Sequence, residues 1–335
     1  MKRIVGTVVM VFSFMLILAA CGEETQEDVN GKLESKLESM EGYKAKAKMT
    51  MSTGKEDEEY QIDVWHKKDD LYRVALSNGQ DAKGQQIILK NEDGVFVLSP
   101  ELNKSFKFQE EWPENGSQPY LYQSLVNDII KDNDAEFESG DNYYRFETET
   151  NYQSNNNLPY QEVSFDKESY TPVNVKVMDK DRNTLVQVEF QEFNMDPEFT
   201  EDDFKMDKNM AGESNGQTVS GEADTFTVLY PKNMAGSELI EEERTDTENG
   251  NRVIMTFSGE KDFTLVEEQQ DTVSNMSEPQ MVDGEIVNLG HAVGALADNT
   301  LEWTHKGMSF VLASEELTRE EMIGVAKSVQ GKDVK

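Results

Sequence analysis

A period of two in the apolar residues is the feature that most limits the folds open to this 335-residue chain. Within the stretch 43–51, every odd-numbered residue is apolar or aromatic and every even-numbered residue is lysine or threonine. Because successive side chains of a strand point to opposite faces, this stretch predicts a strand with one apolar and one cationic face. Shorter alternating runs follow at close spacing, and Asn91-Glu92-Asp93-Gly94 between two of them is a hairpin turn signal. The pattern predicts an antiparallel meander of short strands.

Helical spacing of apolar residues appears at three places beside these strands. Apolar residues at positions 29, 33, 37 and 40 fall on one helical face before the first strand. After Pro119, apolar residues at 121, 125, 126 and 129 predict a second helix that interrupts the meander. Near the end of the chain, Thr318 followed three residues later by Glu321 predicts a capped helix.

A break in composition divides the chain into two folded parts. Gly, Ser and Asn dominate the stretch 207–224, which predicts a linker. Alternating segments such as 253–257 and 301–304 resume beyond it and predict a second, smaller α+β unit. The expected organisation is a signal peptide at 1–20, a modified cysteine and spacer at 21–30, a first domain at 31–206, the linker at 207–224 and a C-terminal domain at 225–335.

The first 21 residues have the organisation of an export signal. A Lys-Arg pair at 2–3 precedes an apolar run at 4–18, and two alanines then lead to Cys21, the only cysteine in the chain. The apolar run is shorter than the ~20 residues that a membrane-spanning helix needs, which argues against a simple transmembrane anchor. The ending Leu18-Ala19-Ala20-Cys21 resembles the lipobox of bacterial lipoproteins. In that group the cysteine sulfur receives a diacylglyceryl group and the chain is cut before the cysteine.

This resemblance implies a protein attached to the extracytoplasmic face of the cell membrane through acyl chains such as palmitate. Two chains on one residue hold firmly, because each buried methylene contributes ~0.8 kcal/mol. Removal of residues 1–20 leaves 30 Lys and Arg against 66 Asp and Glu, a net charge of −36. That excess opposes binding to nucleic acid and to anionic lipid headgroups. With its one cysteine modified, the chain has no disulfide, and the fold must depend on its core.

The order of the elements resembles that of the LolA/LppX-like superfamily of lipoprotein-sorting and lipid-binding proteins over residues 30 to about 206. The leading helix, the strand at 43–51, the middle helix and a set of spaced residues carry the resemblance. Those residues are Val163-x-Phe165-Asp166, Pro172-Val173-x-Val175 and Val188-x-Phe190-x-x-Phe193. The resemblance implies an α+β fold in which a curved antiparallel half-barrel sheet wraps helices, with an apolar space between them that takes acyl chains.

Two further likenesses concern the whole chain and its C-terminal part. The lipobox together with the second unit makes the chain similar to the YdcC-like sporulation lipoproteins, which implies a role in sporulation or spore germination. The pattern Leu301-x-Trp303-x-x-x-Gly307-x-x-Phe310 resembles a small extracytoplasmic domain of bacterial sporulation and envelope proteins. That domain has no assigned function, so this likeness implies a fold unit without chemistry.

Apolar residues on the alternating strand faces form the candidate ligand site. Two alternatives stay open from the sequence, an ordinary filled core and a face that lines a lipid-sized cavity. Such cavities need apolar, partly aromatic walls with few polar groups. The residues predicted to line one are Met49, Met51, Ile62, Val64, Phe96, Phe106, Phe146, Phe165, Val188 and Phe190.

The motifs that would indicate catalysis or metal binding lack their structural context. Gly212-Glu213-Ser214-Asn215-Gly216 matches the G-x-S-x-G pattern, but it lies in the polar linker without the strand and helix that a nucleophile elbow requires. The turn from Asp179 to Asn183 begins like a calcium loop and then lacks its glycine and glutamate, so it predicts a hairpin turn. The histidines at 66, 291 and 305 do not have metal-ligand spacing, and His66 beside two lysines is predicted to be solvated. No catalytic residue, metal or cofactor is predicted.

The sequence therefore predicts a non-catalytic, membrane-anchored lipoprotein and leaves two functions open. The first is the binding of a lipid or lipoprotein-type hydrophobic ligand in the cavity of the first domain. The second is a protein-interaction module that tethers or activates a cell-envelope partner, for example a spore-cortex-modifying enzyme. A third hypothesis, an enzyme, would require Ser214 or a histidine to act.

Overall fold

A computed structural model describes residues 24–52, 57–78, 85–109, 112–113, 117–151, 158–211, 227–247, 250–269, 278–289, 292–305 and 307–331. The signal peptide, Cys21, Ser214, His291 and most of the predicted linker lie outside these residues. Within the described ranges, no helix is both long enough and apolar enough to cross a membrane.

Most of the described chain is strand, with a small number of helices. The strands of the first part are β1 Gly42–Ser52, β2 Asp57–Lys67, β3 Leu71–Asn78, β4 Gln86–Asn91, β5 Gly94–Ser99, β6 Lys104–Phe108, β7 Glu136–Ser139, β8 Tyr143–Glu149, β9 Tyr160–Asp166, β10 Pro172–Met178 and β11 Thr184–Asn194. Those of the second part are β12 Leu229–Pro231, β13 Ser237–Thr247, β14 Gly250–Gly259, β15 Phe263–Gln269, β16 Gln280–Val282, β17 Glu285–Asn288, β18 Val293–Ala297, β19 Thr300–His305, β20 Met308–Ala313 and β21 Val329–Gly331. The α-helices are α1 Gln26–Ser39, α2 Tyr122–Lys131, α3 Met206–Met210 and α4 Arg319–Lys327.

The first sheet is built outward from β1, which lies between β2 and β11. On one side the chain meanders from β2 to β6, and on the other side the order runs from β11 back to β7. Neighbouring strands are antiparallel except at one edge, where β16 pairs with β6 in parallel. The sheet is curved and does not close on itself, so the predicted α+β class is confirmed.

Helix α1 begins earlier than the sequence predicted, because a capping box starts it. The Thr25 hydroxyl accepts a hydrogen bond from the Asp28 amide at 3.3 Å, and the Asp28 carboxylate accepts one from the Thr25 amide at 3.1 Å. Val29 and Leu33 are fully buried on the face turned toward the sheet. The predicted spacer at 21–30 is therefore too long, since the folded chain already includes residues 24–30.

Helix α2 packs on the same hydrophobic core as α1. It packs against α1 and β8, and its residues Tyr122, Leu125, Val126 and Ile129 are all fully buried. The helical spacing read from the sequence thus identifies the face that contacts the sheet.

The predicted linker at 207–224 starts too early, because α3 occupies its first residues. Met210 is buried against the outer side of the first sheet, in one cluster with Phe96 and Phe204. Asn209 is also buried, and its side-chain amide donates to the carbonyl oxygens of Asp203 at 3.1 Å and Lys205 at 2.8 Å. These contacts fold the segment onto the sheet, so residues up to 211 belong to the first part.

The second sheet has the order β13-β14-β15-β20-β19-β18-β17. Helix α4 packs on it and is capped as predicted, with the Thr318 hydroxyl accepting from the Glu321 amide at 3.3 Å. The buried core between helix and sheet contains Trp303 and Phe310, whose rings stack at 5.0 Å.

The two parts of the chain are not separate, because a strand of the second part belongs to the sheet of the first. Strand β16 extends the first sheet, with Gln280 opposite Phe106 and Val282 opposite Phe108. Val282, Ile286 and Val293 are buried in the core of the first part. The chain therefore returns from the second part to close one end of the first core.

Candidate functional site

The residues predicted to line a cavity fall mainly on cross-strand rows of the first sheet. Met49 of β1 lies opposite Val188 of β11 and Tyr60 of β2. Along the same row, Val188 lies opposite Val175 of β10, and Val175 lies opposite Val163 of β9. Side chains at directly opposed positions stand on the same face, so the row forms a continuous apolar band across five strands.

This band is closed off from solvent. Eight of the ten predicted lining residues are at most 5% exposed, and only Met51 and Phe190 are partly buried. A space wide enough for an acyl chain would leave accessible surface on the side chains that line it, and most of these side chains have almost none. In the described structure the face is a packed core.

Aromatic rings and the two helices fill the face. The ring of Tyr122 on α2 meets that of Phe165 edge-on at 6.3 Å. Phe165 in turn contacts Phe146 at 6.2 Å, and Phe146 contacts Phe137 at 5.0 Å. Ring pairs at these separations add to the stability gained from burial. The filled-core alternative therefore describes these residues.

Phe96 was assigned to the wrong face. Its neighbours Val95 and Val97 belong to the core under the helices, whereas Phe96 packs in the separate cluster with Phe204 and Met210. The cause is the period of two, which places Phe96 on the opposite face of β5 from Val95 and Val97. Since β5 is apolar on both faces, its sequence does not reveal which face turns toward the helices.

His66 is partly buried among aromatic rings, whereas the sequence predicted a solvated side chain. Its ring stacks on Tyr72 at 4.5 Å and lies 5.5 Å from the ring of Tyr43. Burial lowers the pKa of His66 to about 4, so the ring is neutral at neutral pH. The Tyr43 hydroxyl accepts a hydrogen bond from the Tyr122 amide at 3.2 Å, which ties this aromatic cluster to the start of α2.

A buried polar contact joins the two sheets. Gln86 on β4 is 4% exposed and bonds to both backbone groups of Val293 on β18. Its amide nitrogen donates to the Val293 carbonyl at 3.1 Å, and its amide oxygen accepts from the Val293 amide at 2.8 Å. The same nitrogen donates to the Thr304 hydroxyl at 2.9 Å, and that hydroxyl also bonds to the Ser99 hydroxyl at 2.7 Å. These bonds fix the position of the second sheet against the first.

One carboxyl group is buried in the second core. Glu267 on β15 is 0% exposed, and its Oε2 accepts from the Leu229 amide at 3.0 Å. Its Oε1 has no partner among the described residues. Burial raises the pKa of Glu267 to about 8. A neutral carboxyl in this position anchors β12 to the sheet.

The sequence contains signals for the burial of Glu267 and for strand β13, although neither was predicted. Phe263, Leu265 and Glu267 share one phase of the alternation, so the carboxyl group had to face the core. Strand β13 was missed because it is polar, but Asn249-Gly250 before the apolar run at 253–257 is the strongest short hairpin signal and implies a partner strand. Gln86 carries no comparable signal, because its role depends on a strand more than 200 positions away.

The described residues do not form a recognisable metal centre. Within the described ranges, no group of three or more His, Cys, Asp or Glu side chains is arranged to hold a metal ion. The acidic turn is a hairpin turn between β10 and β11, as predicted, with the Asp179 carboxylate accepting from the amides of Asp181 at 2.9 Å and Asn183 at 2.8 Å. Ser214 and His291 lie outside the described residues.

Comparison with known sequences relates the whole chain to sporulation proteins. The model of a family described as sporulation protein YdcC-like matches residues 1–204. A protein of Bacillus subtilis (strain 168), described as sporulation protein YdcC, is 47% identical over 323 residues, which are 96% of this chain and 95% of that protein. The likeness in sequence thus covers both sheets.

Comparison with solved structures finds similar chains at low identity. The MucA/MucB complex of Pseudomonas aeruginosa contains a chain that is 12% identical, with 90% of this chain and 99% of that one covered and a TM-score of 0.34. The LolA superfamily protein NE2245 from Nitrosomonas europaea is 9% identical, with 56% of this chain and 100% of that one covered and a TM-score of 0.31.

Proposed function

This chain belongs to the family of YdcC-like sporulation proteins, and on that premise we propose that it is a lipoprotein of the extracytoplasmic membrane face that binds a protein partner in the cell envelope. It acts in sporulation without catalysing a reaction. The partner is a cell-envelope protein such as a spore-cortex-modifying enzyme, which this protein tethers or activates.

The packed state of the first core carries this proposal. A carrier of acyl chains needs an apolar space, and the residues predicted to line one are closed off by α2 and by their own rings. With its interior occupied, the protein offers its surface for binding. The contacts between the two sheets through Gln86 and β16 support the same view, because they hold that surface in one arrangement.

The membrane anchor in this proposal is Cys21, which lies outside the described residues. Support comes from the sequence, where an apolar run and two alanines precede the single cysteine. A Cys21→Ser variant is expected to lose the incorporation of labelled palmitate that the unmodified protein shows in sporulating cells. If the variant incorporates the label as the unmodified chain does, the acylated residue is not Cys21.

The function is tested by recovery of a partner from sporulating cells. The full-length protein with a C-terminal tag is purified in mild detergent at 0.3 M salt, where attraction between exposed charges is largely screened. A single envelope protein recovered in near-equal amount supports the proposal. Recovery of no envelope protein, both with and without chemical cross-linking in the cells, contradicts it.

A hydrophobic ligand is the second candidate, and one observation favours it. Met51 and Phe190 stand on the same face as the buried band and keep part of their surface exposed. Native mass spectrometry of the purified protein distinguishes the two functions, since a bound mass in the lipid range that organic solvent removes would favour the carrier.

The absence of catalysis has its own test. A Ser214→Ala variant is expected to support sporulation as well as the unmodified protein, because no folded context for a nucleophile is predicted there. Loss of function in this variant, at an unchanged protein level, would support an enzyme instead.

A further inference from the structure

Strand β13 is an exposed edge of the second sheet. Among the described residues it pairs with β14 alone, over an 11-residue strand. Every residue from 238 to 246 is exposed, and Ile240 and Leu239 are 64% and 38% exposed. An edge strand presents a row of backbone N–H and C=O groups that can pair with another chain.

The two faces of this edge have different surroundings. The Glu242 carboxylate accepts from the Tyr230 hydroxyl at 2.8 Å and pairs with Arg244 at 2.8 Å, so these side chains stand on the face toward β12. Glu241 and Glu243 stand on the other face, opposite Thr256 and Ile254 of β14. Within the described residues these two carboxylates make no hydrogen bond or ion pair.

A bulge separates the apolar start of the edge from its acidic part. The register shifts between Leu239 and Glu241, which leaves Ile240 as the extra residue in β13. From Glu241 onward the pairing with β14 is regular to the end of the strand. The acidic part therefore has the straight geometry that an added strand needs.

The acidic charge of β13 determines which kind of segment can pair with this edge. The strand SELIEEERTDT has five acidic residues and one arginine. A second copy of β13 would place acidic residues against acidic residues, and like charges directly opposite each other are destabilising. The net charge of −34 adds repulsion between copies. A cationic strand would be attracted by the same groups.

We propose that β13 is a docking edge for an extended basic segment of a partner protein, which adds to the second sheet as a further strand. Lysine or arginine at alternate positions of that segment would lie beside Glu241 and Glu243, and β-branched residues between them would favour the extended form. This inference rests on the proposed function, because it takes the partner to be a protein.

The test uses the full-length lipoprotein in detergent and a labelled peptide of ten residues in which lysine alternates with valine or threonine. Fluorescence anisotropy measures binding, and hydrogen exchange locates it. We expect saturable binding and slower exchange of amides within 238–247. The double variant Glu241→Lys/Glu243→Lys is expected to weaken binding about tenfold or more, since it turns two attractive cross-strand pairs into repulsive ones.

Two controls separate strand addition from general attraction to an acidic protein. Glu34→Lys/Glu38→Lys changes the same net charge on the exposed side of α1 and should leave the affinity within about twofold of that of the unmodified protein. A peptide with proline in place of valine and threonine keeps the lysines but cannot pair as a strand, and it should not slow exchange in β13. Equal weakening by both double variants, or equal binding of the proline peptide, would overturn the proposal.

Recovery of the partner distinguishes a failure of β13 as the docking edge from a failure of the proposed function. If an envelope partner is recovered with the unmodified protein and equally with Glu241→Lys/Glu243→Lys, the protein binds a partner but not through β13. If no partner is recovered with the unmodified protein, the proposed function itself fails. Both double variants change exposed residues only, so their thermal unfolding should match that of the unmodified protein, which circular dichroism checks.

Discussion

At the scale of single residues, the buried carboxyl group of Glu267 makes the stability of the second sheet depend on pH. Its pKa is raised to about 8 in the folded protein by burial, against an ordinary value near 4.5. Between these values the folded state holds a proton that the unfolded state has lost. The stabilisation is therefore complete below about pH 4.5 and declines as the pH rises toward 8.

Glu267→Gln removes this dependence, because an amide stays neutral and can still accept the hydrogen bond from the Leu229 amide. We expect the variant to match the unmodified protein at pH 5 and to be more stable at pH 8.5, on the order of 4 kcal/mol. Thermal unfolding followed by circular dichroism across this pH range measures the difference.

The matched control is Glu315→Gln, a change at an exposed position of the same unit. It should shift the melting temperature equally little at both pH values. A difference between Glu267→Gln and the unmodified protein that is the same at pH 5 and pH 8.5 would contradict the assigned protonation of Glu267.

Single residues also show when a sequence pattern predicts the burial of a side chain and when it does not. The phase of the alternation places Met49, Val64 and Val188 correctly on one face, because each lies in a strand with one apolar side. Phe96 lies in a strand that is apolar on both sides, so the phase does not identify its face. His66 lies beside two lysines in the sequence, but the rings that bury it come from Tyr43 and Tyr72.

At the scale of elements, periodicity and capping signals predict the helices and strands that local sequence determines. The central strand β1, helix α2 and the capped helix α4 follow directly from such signals. Strand β13 does not, because its stability comes from pairing with β14 and not from burial of its own side chains. The addition of β16 to β6 depends on contacts between distant segments, which a local pattern does not contain.

The side chain of Gln86 joins β4 to β18, which yields a prediction for these elements. Gln86→Ala would leave the amide and carbonyl of Val293 without their partner in a buried place. Each such group costs about 1–3 kcal/mol when it is left unpaired. We expect faster hydrogen exchange in β17, β18 and β16, with little change in β1 and β2.

Gln187→Ala on β11 serves as the control, since that glutamine is only partly buried and lies away from the second sheet. It should leave exchange in β17 and β18 unchanged. If Gln86→Ala also leaves these strands unchanged, the contact through Gln86 does not hold the two sheets together.

At the scale of the whole molecule, the proposed anchor at Cys21 would hold the folded body close to the membrane, because the folded chain begins only a few residues later. The Glu24 carboxylate accepts hydrogen bonds from the hydroxyls of Tyr144 at 2.7 Å and Tyr170 at 2.8 Å, and it pairs with Lys32. The hydrogen bond from Lys32 and those from the two tyrosines lower the pKa of Glu24 to about 2, so the carboxylate is charged at neutral pH. Three residue steps separate Cys21 from Glu24, which can span at most about 11 Å.

If Cys21 carries the acyl chains, the start of α1 is held beside the bilayer. A dye on Ser35→Cys, an exposed position of α1, should then transfer energy efficiently to acceptor-labelled lipid headgroups. This introduced cysteine is the only free thiol, because the chain has no cysteine besides Cys21. Insertion of ten Gly and Ser residues after Gly22 adds a flexible spacer with a mean reach of about 17 Å and should lower the transfer clearly. Equal transfer with and without the spacer would mean that something other than the short tether sets the distance of the body from the membrane.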